Sequence, residues 1–600
     1  MRLNPEQEAA ASTREGVICL LAGPGSGKTT VLVNRYQRLV AAGTSPSEIL
    51  SLSFTSEAAK NLRTRVEKLG VELLKTDRVS GFVTFHSLAL SMVTAEHDHF
   101  NPPLAAFPLA TEGQSAKLIG EAARKHETHP RDLGPWISLQ KRNRIRPEEA
   151  IRRAEKEGAG QKLALAYKQY EEKLRAMGVL DFDGLLLEMV TLLETNAEVR
   201  DRWQFTFCQA DESQDNDPLQ WRLLQLLTEK HGNLLCVGDA AQSIYNFRGA
   251  SPELFLNMGQ FFPTVKTLFL GVNHRSTQSI VDFLKVVGPV KELAEKFTTT
   301  NELGVPPVIV QFPDETREAQ AIARLIENGD PSNSAVLART NRALRPVEDA
   351  LSEAGIKYFL IGNSGFWSRP EVVAVLAYCI CAAGNANDGA VLTALRSPYQ
   401  PSRYLKKKLL ADGLKDTQKR DPAKPSIIKL LYNHSESSAQ GFGRFLWGLK
   451  RYGDLPAAYA VKEVLREIKA LEYYQDEEAA QPDSSPVENL LELRKIAERF
   501  GSLGDLLAHA RRAQGAARNR KGVALSTIHG YKGREAAAVY VIGCQEGLMP
   551  HKNSTDLQEE QNIFFVACSR PEQFLHISYV GQPSRFLAPF LPKPNDTQDK

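Results

Sequence analysis

Residues 17–30, Val-Ile-Cys-Leu-Leu-Ala-Gly-Pro-Gly-Ser-Gly-Lys-Thr-Thr, restrict the fold more than any other stretch of the chain. An apolar run of strand character meets a glycine-rich turn, and Lys28-Thr29 then opens a helical pattern. Gly23, Gly25 and Gly27 let the backbone curl until several N–H groups face one anion, and the helix that follows adds the positive end of its dipole. Lys28 is then placed for the β- and γ-phosphates of a nucleotide, and the Thr29 hydroxyl for Mg²⁺. The loop departs from the strict pattern at its first position, Ala22. It works only between a strand and a helix, so the expected fold class is α/β, a parallel sheet flanked by helices.

The chain is too long for that sheet alone. At 600 residues several domains are expected. Up to His86, short apolar strands (17–22, 49–54, 82–85) alternate with helical stretches. Residues 87–199 lose their strands and turn helical and charged, which reads as an insertion, and strands resume at 204–211, 233–239 and 265–272. A second α/β set has strands near 307–312, 334–340, 356–361, 522–528, 537–543 and 573–579. Helical, loop-rich sequence with a polar stretch at Gln475–Pro486 interrupts it. The domains expected are therefore 1–86 with 200–272, an insertion 87–199, 273–384 with 505–590, a second mainly helical insertion 385–504, and a polar tail 591–600.

Composition narrows the setting. Net charge is only +3, so any nucleic-acid surface must be local. The seven cysteines are scattered without a CxxC pair, and Cys19, Cys208 and Cys236 lie in apolar strands, the usage of a reduced, cytoplasmic protein. Cys379 and Cys381 sit in an apolar helical stretch and read as packing. No apolar signal core opens the chain and no run reaches the roughly 18 apolar residues of a membrane span.

Two further segments carry chemistry. The strand ending at Ala210 delivers Asp211-Glu212 at its carboxyl end, where open α/β sheets place ligands. An aspartate there holds Mg²⁺, and a glutamate deprotonates the water that attacks a γ-phosphate, although acidic pairs also serve as helix caps. The next strand ends in Gly238-Asp239-Ala240-Ala241-Gln242-Ser243-Ile244-Tyr245-Asn246-Phe247-Arg248. Gln242 suits a γ-phosphate sensor, while Tyr245, Phe247 and Arg248 suit base stacking and phosphate contact.

At this point the chain resembles the UvrD/Rep/PcrA-type helicases of superfamily 1A over nearly its whole length. Leu3-Asn4-Pro5-Glu6-Gln7 is similar to the family's adenine-reading motif, Leu52 to Ala59 and Thr84-Phe85-His86-Ser87 to its first DNA-contact motifs, and Asp211 to Asp215 to its magnesium and water-activating motif. Leu270 to Ser276, Thr527 to Glu535, and Glu559-Glu560 through Arg570 resemble the fourth, fifth and sixth motifs. The resemblance implies two RecA-like motor domains with ATP and Mg²⁺ between them. Glu212 is then the general base, with Gln242, Arg275 and the arginine finger Arg570 on the γ-phosphate. Nucleotide contacts extend over Ala22, Gly23, Pro24, Gly25, Ser26, Gly27, Lys28, Thr29 and Thr30, with Gln7, Arg35, His274, Gly533 and Glu535. Thr29 and Asp211 hold the metal. Phe54, Thr55, Thr84, His86, Tyr245, Phe247, Arg248 and His529 line a single strand of DNA, along which the family moves 3′ to 5′.

Departures accompany the matches. His274 stands where the family has an adenine-stacking tyrosine, Gln561-Asn562 replace two arginines, Ser213 replaces an aromatic or aliphatic residue, and Ala240-Ala241 replace an acidic pair. The second insertion is shorter than the family's. Lys141 to Arg146 suits either a grip on duplex phosphates or a solvated helix face, and Arg511-Arg512 with Arg518 to Lys521 is similar in kind. The expected function is an ATP-dependent DNA helicase or translocase acting on single strands and single-strand/duplex junctions, with repair or replication proteins as partners, no membrane, and a monomer or weak self-associate. Alternatives are a translocase that strips proteins from DNA with little unwinding, and an ATP-gated DNA clamp.

Overall fold

The computed structural model describes residues 3–70, 81–100, 103–105, 108–246, 249–250, 252–361, 366–402, 427, 431, 437–475, 486–518 and 521–592. Phe247 and Arg248, much of the polar stretch after Gln475 and most of the tail lie outside the described residues. The chain divides into two compact units, Met1–Glu318 with Ala335–Ala343 and Thr527–Lys600, and Ala319–Ser334 with Leu344–Ser526.

The first unit contains a six-stranded sheet, β1 (Val17–Ala22), β2 (Ile49–Ser53), β3 (Phe82–Thr84), β4 (Phe207–Ala210), β5 (Leu234–Gly238) and β6 (Val265–Leu270), in the order β3-β2-β4-β5-β1-β6. Every pairing is parallel. Alternation along β1 sends Ile18, Leu20 and Ala22 to one face and Cys19 to the other. The first face packs against α1 (Pro5–Ser12), α2 (Lys28–Ala41) and α3 (Ser56–Lys68) through Val31, Tyr36, Leu39, Leu62 and Val66. The second is covered by Leu88 and Met92 of α4 (Phe85–Ala95) and by residues such as Met189 and Trp221. Burial on both faces explains why these strands read as continuous apolar runs. A short parallel pair, β7 (Val272–Asn273) and β8 (Thr298–Thr299), follows. The same unit holds part of a second parallel sheet, in which β9 (Val308–Phe312), β10 (Ser334–Ala338), β13 (Ala536–Val541) and β14 (Pro571–Val580) run in the order β10-β13-β14-β9.

Within residues 87–199 the chain forms α5 (Glu112–Lys125), α6 (Pro130–Arg142), α7 (Pro147–Glu157), α8 (Gln161–Ala176) and α9 (Phe182–Thr195). Leu133, Ile137, Tyr167, Tyr170 and Leu174 form the core of these helices. The cations of the basic stretch Lys141 to Arg146 are held in ion pairs, although Arg144 remains exposed. Lys141 is fully buried and pairs with Asp181 at 2.7 Å and Glu171 at 2.5 Å. Arg142 meets Asp183, Arg144 meets Glu194 and Arg146 meets Glu188 at 2.9, 2.6 and 2.7 Å. These cations are committed to acids on α8 and α9.

The second unit holds the parallel pair β11 (Tyr358–Ile361) and β12 (Val523–Thr527). Its helical core is built on Trp367, Tyr378, Tyr399, Phe442, Val461 and Leu493. All seven cysteines are buried and free, Cys379 and Cys381 inside that core. Among the described residues no helix is long and apolar enough to cross a membrane.

Candidate functional site

The glycine loop lies between β1 and α2. Gly27 caps α2 with φ +82°, and Gly25 has φ +65°, conformations that L side chains avoid. A Cβ on Gly25 would sit 2.8 Å from Cβ of Arg275 and 2.9 Å from Oδ1 of Asn273, and one on Gly27 2.6 Å from Nε2 of Gln7. The His274 N–H donates to the Gly25 carbonyl at 2.9 Å, so the loop at 273–276 rests directly on the phosphate loop.

Gln7 is buried, and both ends of its amide are engaged. Oε1 accepts from the Asn4 N–H at 3.1 Å, and Nε2 donates to the Ser26 carbonyl at 2.9 Å. It thus braces the loop from α1, while the exposed His274 ring meets Asn4 Nδ2 at 3.0 Å. Ser26 Oγ donates to the Gly23 carbonyl at 2.7 Å. Arg35 must be corrected. Its guanidinium is buried, donates to the carbonyls of Thr13 and Arg14, and lies 5.8 Å from the centre of the Phe207 ring. Burial lowers its pKa to about 10. The side chain fastens the end of α1 and has no part in a nucleotide cradle.

Beyond β4 the backbone of Glu212 turns left-handed, φ +50°, a strained geometry for a glutamate. Its N–H donates to Asp211 Oδ1 at 3.0 Å. The Glu212 carboxylate lies 3.7 Å from Lys28 Nζ and accepts from Gln214 Nε2 at 2.6 Å. Burial first, and then the neighbouring Glu212 charge, pushes Asp211 above the carboxylate range. Burial opposes the Glu212 charge as well, but Lys28, Lys532 and Gln214 outweigh it and hold that acid low. Gln214 also accepts the Asp239 N–H at 3.0 Å, joining the ends of β4 and β5. Its amide went unassigned in the sequence, although it lies inside the quoted Asp211 to Asp215 motif.

Gln242 is buried between Asp239 and Arg570, its Nε2 donating to Asp239 Oδ2 and its Oε1 accepting from Arg570 Nη2, both at 2.7 Å. Burial, and next the Arg275 charge, lowers Arg570 to about 9. Arg275 is turned to Glu535, 2.6 Å away, and to the Ser569 carbonyl at 3.0 Å. Glu535 is thus occupied by an arginine. Arg534, beside it and Gly533, pairs with Glu57 of α3 at 2.8 Å.

Of the residues expected to line DNA, Phe54, Thr55, Thr84, His86 and Tyr245 follow or end strands at the carboxyl edge of the first sheet, while His529 follows β12. Thr55 and Thr84 cap α3 and α4, accepting from the N–H groups of Ala58 and Ser87 at 3.1 Å. Phe54 and Tyr245 stack, ring centres 5.0 Å apart and planes 22° from parallel, and the Tyr245 hydroxyl donates to the His529 carbonyl at 3.4 Å. His86 meets Phe182 edge-on at 5.6 Å. A groove of 470 Å³ beside them is lined by Lys60, Arg63 and Thr64 of α3 and by Thr84 and Ser87. The three α3 residues share one face by their i, i+3, i+4 spacing, a signal legible in the sequence.

A UvrD/REP helicase N-terminal domain matches residues 3–263, and a UvrD-like helicase C-terminal domain matches residues 268–411 and 435–582. The chain belongs to the UvrD-like helicase family. It is accordingly a helicase with ATPase activity, built on two RecA-like motor domains. It is similar to the ATP-dependent DNA helicase PcrA of Staphylococcus epidermidis, 28% identical over 633 residues that cover 98% of this chain and 86% of that protein. The putative ATP-dependent DNA helicase YjcD of Bacillus subtilis is 28% identical over 640 residues, covering 98% of this chain and 81% of that protein. PcrA of Staphylococcus aureus is 27% identical over the same share of this chain.

Proposed function

We propose that this UvrD-like helicase hydrolyses ATP to move 3′ to 5′ along single-stranded DNA and to open the duplex ahead of it. The observation that carries this reading is the 2.7 Å hydrogen bond between Gln242, which follows a strand of the first sheet, and Arg570, which precedes a strand of the second. Lys28 and Glu212 belong to the same charge cluster. A hydrolysis site divided between two motor domains, 1–86 with 200–272 and 273–384 with 505–590, couples nucleotide state to their separation.

The donor set suits Mg²⁺. Asp211 and Glu212 are adjoining, largely buried carboxylates, and Lys28 is the ammonium beside them. Among the described residues no three His, Cys, Asp or Glu side chains converge as a metal cage. That agrees with an ion held by one or two carboxylates and substrate phosphates. Asp211 and Thr29 would hold it. When bound, MgATP supplies the transferable γ-phosphoryl group and the cation that neutralises it. Lys28 exchanges Glu212 for phosphate oxygens, and the Glu212 carboxylate accepts the proton of the attacking water. Gln242, Arg275 and Arg570 stabilise the negative charge that develops, Arg275 after leaving Glu535. Phe54, His86, Tyr245 and His529 offer rings for bases, with cytoplasmic DNA junctions as substrate and repair or replication proteins as partners.

The test is ATP turnover by wild type and Glu212→Gln on oligo-dT of increasing length, with 3′- and 5′-tailed duplexes followed in parallel. Turnover that rises with length to a plateau, together with opening of the 3′-tailed duplex alone, supports the proposal. Length-independent turnover, or opening from the 5′ tail, overturns it.

A further inference from the structure

Lys532, in the loop after the one-turn helix Ile528–Tyr531, does more than hold the Glu212 carboxyl low, for it follows a strand of the second sheet and its ammonium touches residues that follow strands of the first. It is almost fully buried, 7% exposed, against the completely buried side chain of Asp215, to which it hydrogen bonds. It also donates to the Gln242 carbonyl at 2.7 Å and lies 5.1 Å from the centre of the Tyr245 ring. We propose that Lys532 is the positioning residue through which an arriving nucleic-acid strand sets the rate of ATP hydrolysis. This rests on the function proposed above.

Each partner of the ammonium leads to a different part of the machine. Asp215 closes the short turn Ser213–Asp215 that begins directly after Glu212, so its position is tied to that of the general base. Gln242 holds Asp239 and Arg570 with its side chain, so a pull on its carbonyl moves the residue that meets the arginine finger. Tyr245 is the ring stacked on Phe54. The other Asp215 oxygen, Oδ1, is buried without a hydrogen-bond partner, so Lys532 is the principal compensation for that charge. A buried acid with one strong cationic partner fixes where that cation must stay, because separating them strands a charge out of water.

The aromatic side supplies the switch. Rings 5.0 Å apart leave no room for a third between them, so a base that stacks on the same face of Phe54 displaces Tyr245. Tyr245 then leaves the ammonium, which keeps its contacts with the Asp215 carboxylate and the Gln242 carbonyl. The redistribution falls on Gln242, within the hydrolysis site. Strand binding and hydrolysis are thereby linked through a side chain that touches neither base nor phosphate.

The experiment compares wild type, Lys532→Met, Lys532→Arg, Tyr245→Leu and the Lys532→Met/Tyr245→Leu double variant. It reads ATP turnover with and without saturating oligo-dT, and oligo-dT affinity by fluorescence anisotropy. The proposal expects Lys532→Met to lower the ratio of stimulated to unstimulated turnover at least tenfold, with oligo-dT affinity within threefold. Lys532→Arg restores most of the ratio, and the double variant falls no further than the worse single variant. A ratio within twofold of wild type in Lys532→Met overturns the proposal. So does an equal fall of turnover with and without DNA, the mark of a purely structural role, or a fully additive double variant. If Lys532→Met does not fold, Lys532→Met/Asp215→Asn removes both buried charges together and is read by the same ratio. Absence of strand-stimulated turnover in the wild type instead refutes the function proposed above, and no variant is needed to see it.

Discussion

Replacing Lys141 by methionine tests the reading of the first insertion as a body held by buried charge. The ammonium is fully buried between Asp181 and Glu171 and lies 5.3 Å from the centre of the Tyr170 ring. Methionine keeps most of the volume and leaves two carboxylates without their cation. Removing one partner of a buried pair costs about 3–5 kcal/mol. That corresponds to amide exchange roughly 10²- to 10⁴-fold faster in α6, α8 and α9 if the insertion opens as a unit. The pH dependence carries the sign. In the wild type burial opposes the Asp181 charge, but Lys141 and the Gly184 and Tyr170 hydrogen bonds hold its pKa below the usual value. Its contribution is therefore present above the unfolded value near 4 and is lost as pH falls through the lower folded value. In the variant both acids are buried without the ammonium and their folded pKa values rise, so stability falls as pH rises above about 4. The penalty should be largest at pH 8 and smaller at pH 5. Hydrogen exchange read by mass spectrometry at the two pH values decides the matter. Exchange within threefold of wild type at pH 8, or an equal penalty at pH 5, refutes the argument.

Arg35→Leu should destabilise the first unit by about 1–3 kcal/mol, because the Thr13 and Arg14 carbonyls lose their donor, and leave the KM for ATP unchanged; a raised KM would return Arg35 to the nucleotide site. Gly25→Ala, at φ +65° and 2.8 Å from Arg275 Cβ, should raise the KM for ATP at least tenfold in steady-state assays with little loss of secondary structure by circular dichroism. Arg570→Ala should lower turnover about 10³- to 10⁵-fold while oligo-dT still binds in anisotropy titrations. Glu348, in the second unit, is raised by burial to about 7, so its folded pKa lies above the unfolded one and the wild type loses stability as pH rises from about 4.5 through 7. Glu348→Gln should remove that loss and stabilise the protein at pH 8 by roughly 1–3 kcal/mol, read as a higher Tm there with little change at pH 4.5.

The strands were legible because their burial on both faces writes continuous apolar runs between turn signals. β1 was expected at 17–22 and is observed at Val17–Ala22, while the fourth strand, expected at 204–211, is confined to Phe207–Ala210. Motifs brought Lys28, Glu212, Gln242 and Arg570 together because their order along the chain carries the family's wording. What stayed hidden is partnership across long stretches of sequence. Nothing local to Lys141-Arg142-Asn143-Arg144-Ile145-Arg146 says that acids some forty residues on, at 181, 183 and 188, face it. Arg35 reads as one more basic residue after the phosphate loop, and only the return of α1 across α2 shows why it is buried. Tyr245 reads as a free stacking ring, and only the fold sets Phe54 against it.

The same partnerships govern how the nucleotide site must work. Lys28 is beside Glu212, Arg275 is on Glu535, Lys532 is on Asp215 and Arg570 is on Gln242. On the proposed reading a triphosphate exchanges the partners of Lys28, Arg275 and Arg570 rather than meeting three waiting cations, while Lys532 keeps its acid, and the differences in burial order the exchange. Glu535 is 54% exposed, so water solvates it when Arg275 leaves and the contact costs little to break. Asp215 is not exposed at all, so Lys532 cannot leave without stranding a charge. On that reading Arg275 is the first to turn to phosphate and Lys532 stays in place, and between them stands Gln242, whose side chain answers to Arg570 and whose carbonyl answers to Lys532.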